Sequence, residues 1–150
     1  MIDLFHEAFK YYGLEEITGK EHNNEILAMF AEIGHDWVQE DEISWCSAFI
    51  NYLCKRMGYE RTGALDARSW LRAGIDLDRP EIGCIVVLWR GSIISWKGHV
   101  GFWVNEDDRY VYILGGNQDG QVNIKRYPKE RILGYRKLRK KYSYYFNTER

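Results

Sequence analysis

The segment CIVVLWRGSIISWKGHVGFWV, residues 84–104, decides the fold class because two apolar runs flank a polar loop. The first run, Cys84 to Trp89, is continuously apolar and predicts a buried strand. The second run, His99 to Val104, alternates, so His99 is expected to face away from the apolar residues of its own strand. The segment therefore predicts two neighbouring strands with a polar group at the start of the second.

Three more strands are predicted after this segment, because short β-type runs alternate with turn signals such as Gly115 to Gly120 and Pro128. An antiparallel meander accounts for the short connections between them. The three runs are Tyr110 to Leu114, Gln121 to Tyr127 and Ile132 to Leu138.

Before Pro80 the apolar residues recur at helical spacing instead. Helices followed by a small antiparallel sheet are typical of an α+β domain, and 150 residues without a linker predict one domain, 1–150. The predicted helices are Asp3 to Tyr12, a second one capped by Asn23 or Asn24 and ending near Gly34, a third from Trp45 to Met57 with Ser44 as N-cap and Gly58 as its stop, and a short one from Ala67 to Ala73.

Charge and composition exclude several classes of function. The 21 basic residues nearly balance the 22 acidic ones, which disfavours nucleic acid or an anionic membrane as a partner, and we interpret the basic run from Arg131 to Lys141 as a solvated edge and tail. No segment has the features of a signal peptide or the roughly 20 apolar residues of a membrane span. The sequence thus predicts synthesis in the cytoplasm and no membrane insertion.

Cys46 is the strongest candidate for a reactive group. It lies at the second position of the predicted third helix, where unpaired backbone N–H groups and the helix dipole favour thiolate over thiol. A nucleophile is one interpretation, and a small buried core residue is the alternative.

His99 is the candidate base, with an ordinary strand-end histidine as the alternative. A base paired with a cysteine should stand on a rigid element, and Gly101 is expected to leave an opening beside it. A third group normally orients such an imidazole. Asn117 is the candidate because it ends the next strand of the meander, although it also fits a plain turn asparagine after two glycines.

Five short motifs follow one another along the chain: Ser44–Phe49 (SWCSAF), Ala67–Leu71 (ARSWL), Ile85–Val87 (IVV), Gly98–Phe102 (GHVGF) and Leu114–Gln118 (LGGNQ). In these motifs the sequence resembles the NlpC/P60 and CHAP cysteine peptidases, particularly their small phage-associated relatives, over about residues 14–136. It differs from many NlpC/P60 members in having Trp45 before the cysteine, Ala48 two residues after it and Asn117 as the third residue.

This resemblance implies a papain-like fold and hydrolysis of amide bonds in the stem peptide of peptidoglycan, as endopeptidase or amidase, through a thioester on Cys46. Without a signal peptide, the protein would reach the cell wall through a pore-forming protein, within a phage particle or by a non-standard exporter. A role in phage lysis or entry would fit the first two routes. Two alternatives stay open: an amidase, deamidase or acyltransferase acting on a protein inside the cell, and a non-catalytic wall-binding virion domain.

The remaining polar and aromatic candidates are weaker. Trp96, in the loop before His99, is the aromatic residue that we expect to contact substrate, and Gln39 is a conceivable oxyanion donor that more simply fits an exposed loop. Cys54 and Cys84 fit core positions. The other histidines lack metal-ligand spacing, so the sequence predicts no metal and no cofactor.

Overall fold

The computed structural model describes residues 1–17, 23–37 and 44–141. The three α-helices precede the strands, which confirms the predicted α+β class. None of the helices in the described ranges is long and apolar enough to cross a membrane. The helices are α1 (Ile2–Phe9), α2 (Asn24–Glu32), α3 (Cys46–Met57) and the 3-10 segments Ala67–Arg72 and Lys129–Arg131.

Six strands form one antiparallel sheet in the order β1-β6-β2-β3-β4-β5. Strands β2 to β5 are the predicted meander, and β6 returns to pair with β2 on its other side. The sequence missed β1, because its three residues lack a period of their own and pair only with β6 at the sheet edge. The strands are β1 (Ile75–Leu77), β2 (Ile85–Trp89), β3 (Gly98–Glu106), β4 (Tyr110–Gln118), β5 (Gln121–Pro128) and β6 (Ile132–Lys137).

Two helix ends agree with the sequence, whereas α1 ends at Phe9 instead of Tyr12 and α3 begins later than predicted. The Asn23 side chain accepts from the backbone N–H groups of Glu25 and Ile26 at 2.8 and 3.2 Å, as expected of an N-cap. Gly58, at φ +78°, ends α3 in the left-handed conformation. Ser44 is not the N-cap of α3, since Trp45 occupies that position and the helix begins at Cys46.

The sheet separates two apolar clusters. The larger lies between the helices and one face of the sheet, where Phe49 and Leu53 of α3 pack with Val100 and Phe102 of β3. The smaller lies on the opposite face of the sheet, and its fully buried members are Val86, Leu88, Val111 and Ile113. Because His99 alternates with Val100, it belongs to this second face, at the start of its strand.

A buried polar network fixes the first turns of α3. Asn51 is fully buried, accepts from the Gly63 backbone N–H at 2.8 Å and donates to the Ala64 carbonyl at 3.0 Å. The Ser47 hydroxyl donates to the same carbonyl at 2.7 Å and accepts from the Trp70 indole N–H at 2.8 Å. Because Ser47 directly follows Cys46, this network sets where the helix start lies relative to the sheet.

We expect Asn51→Leu to lower the free energy of unfolding by about 2–4 kcal/mol, because it leaves the Gly63 N–H and one bond of the Ala64 carbonyl unsatisfied. Urea denaturation followed by circular dichroism measures this change. Arg56→Gln, at an exposed position on the same helix, is the matched control and is expected to change stability by less than about 1 kcal/mol. Equal effects of the two substitutions would contradict a structural role for the network.

Candidate active site

Cys46 is the first residue of α3, one position nearer the helix start than predicted, and it is 2% exposed. The first α-helical hydrogen bond of this end runs from the Phe49 N–H to the Trp45 carbonyl at 3.0 Å. The N–H of Cys46 therefore precedes the helical bonding pattern, and the positive end of the helix dipole lies at its sulfur. Both features favour a thiolate.

His99 is held at its Nε2 by Gln118. The two side chains contact through His99 Nε2 and Gln118 Oε1 at 2.9 Å. The amide nitrogen of Gln118 donates to the carbonyls of Ile113 and Asn123 at 3.1 and 2.8 Å and to the Asn123 side-chain oxygen at 3.0 Å. Since these acceptors require the NH₂ group of Gln118, its oxygen must face the imidazole, and Nε2 must carry the proton. The neutral ring thus keeps Nδ1 free to accept a proton.

The Cys46 thiol interacts with His99 and has a lowered pKa. Burial raises the pKa of this thiol, but the hydrogen bond and the charge of His99 outweigh burial, with further contributions from the Val100 backbone and the Ser44 hydroxyl. The net pKa therefore lies below its ordinary value of 9.0. A thiolate paired with an imidazolium is the arrangement expected of a nucleophilic cysteine.

The structure differs from the sequence prediction in the third residue. Asn117 forms no hydrogen bond with the imidazole; its amide donates to the Ser44 hydroxyl at 3.2 Å. The reason is a shift of register in the β4–β5 pair between Gly115 and Gln118, with Asn117 at φ +58°. This bulge directs the next side chain, Gln118, to His99. Asn117 instead supports Ser44, whose hydroxyl lowers the pKa of the thiol.

The two glycines before Asn117 make the bulge possible. A Cβ at Gly115 would lie 2.8 Å from Gln118 Oε1, and a Cβ at Gly116 would lie 2.7 Å from the Trp45 ring. Gly115 therefore leaves room for the side chain that orients His99, and Gly116 leaves room for Trp45, the N-cap residue of α3. The glycine pair is the signal in the sequence that could have indicated Gln118.

Tyr127 is a site residue that the sequence did not indicate. Its ring lies against the His99 imidazole, with centroids 5.0 Å apart and planes inclined by 30°. Burial, and after it the charge of Cys46, raises the pKa of Tyr127, so its phenol stays neutral. Tyr127 thus covers one side of the imidazole without adding a charge.

A cavity of about 250 Å³ opens beside His99. Ser44 and Asn117 line it on the side of the α3 start, and Cys46 is not among the lining residues. The lining residues are Ser44, Leu88, Trp89, Arg90, Gly98, His99, Asn117, Lys125, Tyr127 and Arg131.

Three other expectations have different outcomes. Gly101 is buried and opens nothing, since a Cβ there would lie 2.3 Å from the Ile113 side chain; it permits close packing of β3 on β4. Trp96 is 70% exposed in the loop before His99 and does not line the cavity, so its contact with substrate stays a prediction. Gln39 lies outside the described residues.

Cys54 and Cys84 are buried, and burial raises the pKa of both thiols, that of Cys84 to about 11. They therefore lack the features that distinguish Cys46. In the described part of the chain, no group of three or more His, Cys, Asp or Glu side chains could hold a metal ion.

No protein-family model matches the chain, and neither does any curated protein.

Proposed function

We propose that this chain is a thiol hydrolase with a papain-like arrangement of helix and sheet, similar to NlpC/P60 and CHAP peptidases, that cleaves amide bonds in the peptide part of peptidoglycan. The observation that carries the proposal is the arrangement of three side chains. Cys46 lies at a helix start and interacts with His99 on a strand, and Gln118 accepts from the imidazole Nε2–H. The choice of peptidoglycan as substrate depends on the motif resemblance.

In the proposed mechanism the Cys46 thiolate attacks the scissile carbonyl, and a thioester forms as the amine leaves. His99 holds the thiolate through its protonated ring and then donates that proton to the leaving amine. Water, deprotonated by the neutral imidazole, later hydrolyses the thioester and releases the acid product.

The surrounding groups have defined tasks in this scheme. The free N–H of Cys46 donates to the developing oxyanion. Gln118 keeps the imidazole in one orientation and accepts from its Nε2–H in both protonation states. The phenol of Tyr127 shields one face of the ring.

The test is digestion of purified peptidoglycan, with the soluble products separated by mass. We expect new amine and carboxyl ends in equal amounts, and none after the protein has been alkylated with iodoacetamide. New reducing sugar ends would contradict an amide hydrolase. If no products form although Cys46 reacts rapidly with iodoacetamide, the protein would still be a thiol enzyme, but peptidoglycan would not be its substrate.

A further inference from the structure

The cavity beside His99 carries an excess of positive charge. Arg90, Lys125 and Arg131 line it, and no carboxylate is among the described residues that do so. Lys125 pairs at 2.8 Å with Asp119, which does not line the cavity. Among the ion pairs of the described residues, none involves Arg90 or Arg131.

The two guanidinium groups have few internal partners. The Arg131 guanidinium lies 5.3 Å from the centre of the Trp89 ring, which orients it without neutralising it. The Arg90 side chain is exposed at the cavity rim, and only its backbone is engaged, with Lys97 and Ser92. Unneutralised arginines at a concave site favour carboxylate or phosphate groups, which their planar forks bind in bidentate geometry.

The size of the cavity limits what the positive groups can bind. Its volume of about 250 Å³ lies below the roughly 300–1,000 Å³ of sites for drug-sized ligands. A cavity of this volume fits a single amino-acid residue better than an extended chain. The rings of Trp89 and Tyr127 can contact the apolar part of such a residue, while the basic side chains of the cavity bind its acidic group.

We propose that this cavity is an anion subsite, in which Arg90 and Arg131, aided by Lys125, bind a free carboxylate on the substrate residue next to the scissile amide. This inference rests on the proposed function and names its substrate class: acidic peptides are preferred over those in which the same carboxyl is a primary amide. It assigns Arg131 to the site, whereas the sequence placed it in a solvated edge.

Alkylation of Cys46 tests the subsite without any peptide substrate. Iodoacetate carries a carboxylate and iodoacetamide is its neutral analogue; in both reactions sulfur forms a bond to carbon and iodide leaves with the electron pair. The readout is the ratio of the iodoacetate to the iodoacetamide rate constant. This ratio cancels any change in the thiolate fraction, which affects both reagents equally.

We expect the double variant Arg90→Gln/Arg131→Gln to lower this ratio about tenfold, because a site lined by one sign of charge raises the local concentration of the opposite ion. The matched control, Arg79→Gln/Arg126→Gln, removes two positive charges from residues that do not line the cavity, and its ratio should stay at the wild-type value.

The possible outcomes separate this inference from the proposed function. An equal ratio in wild type and in the Arg90/Arg131 variant, or an equal fall in the control, would overturn the subsite, while rapid reaction of Cys46 with iodoacetamide would still support the thiol enzyme. A wild-type Cys46 that is inert to both reagents would overturn the proposed function and the subsite together.

Discussion

Cys46→Ser is expected to lower kcat/KM for amide hydrolysis by on the order of 10⁴-fold or more, because the substitution removes the only thiol whose surroundings stabilise its charged form and leaves a weakly nucleophilic hydroxyl. The buried position tolerates serine sterically, so the fold should persist. Initial rates on a defined amide substrate, with circular dichroism to verify folding, measure the effect.

The other two cysteines provide the matched controls. Cys54→Ala and Cys84→Ala remove thiols that are equally buried in the core but lie outside the site. We expect each to keep kcat/KM within about threefold, since neither touches the reacting groups. A loss as large as that of Cys46→Ser would assign the effect to folding instead of chemistry.

The same contrast sets the expected pH dependence of alkylation. Because the pKa of Cys46 lies below 9.0 and those of Cys54 and Cys84 lie above it, Cys46 should be the residue modified near pH 7. As pH falls, its rate should decline only when pH passes through the lowered pKa, where thiolate is converted to thiol. Mass mapping identifies the modified cysteine at each pH. Modification of Cys54 or Cys84 before Cys46 would contradict the assignment of Cys46 as the reactive thiol.

The fold was predictable where the local pattern has a physical period. Residues 84–89 and 99–104 alternate or stay apolar over a full strand, and Asn23 and Gly58 mark helix ends by chemistry that does not depend on distant residues. Strand β1 was not predictable, because three residues carry no period and gain their bonds from β6, more than fifty positions later. Its formation is decided by pairing instead of local preference.

The residues of the candidate site were likewise predictable only where local sequence pattern determines their position. Cys46 and His99 were indicated by position on their elements, which local pattern determines. Gln118 was not indicated, because the bulge between Gly115 and Gln118 changes which face of the sheet the following side chains point to. Alternation of apolar and polar residues in the sequence does not reveal such a bulge. The positive cavity was also hidden, since Arg90, Lys125 and Arg131 come from three separate segments that only the folded sheet brings together.

Substitution of Gln118, the group that orients His99 in place of Asn117, is expected to have the second large effect on activity. Gln118→Leu removes the acceptor for the Nε2–H, and a hydrogen bond to a charged group contributes about 1.5–3 kcal/mol. Loss of that bond destabilises the imidazolium, so the thiolate it supports also becomes less favourable. We therefore expect kcat to fall about 10- to 100-fold and the alkylation profile of Cys46 to move upward by about one to two pH units.

Asn117→Gly is the informative comparison, because glycine accepts φ +58° and the substitution removes only the amide that donates to Ser44. Its expected shift in the alkylation profile is smaller, since it weakens one contributor to the thiol pKa and leaves the bond between His99 and Gln118 intact. A purely structural role for Gln118 would reduce the amount of folded protein but leave the profile of the folded fraction in place. The reverse order, with Asn117→Gly shifting the profile more than Gln118→Leu, would contradict Gln118 as the third residue, because the group that holds the imidazolium is expected to make the larger contribution to the thiol pKa.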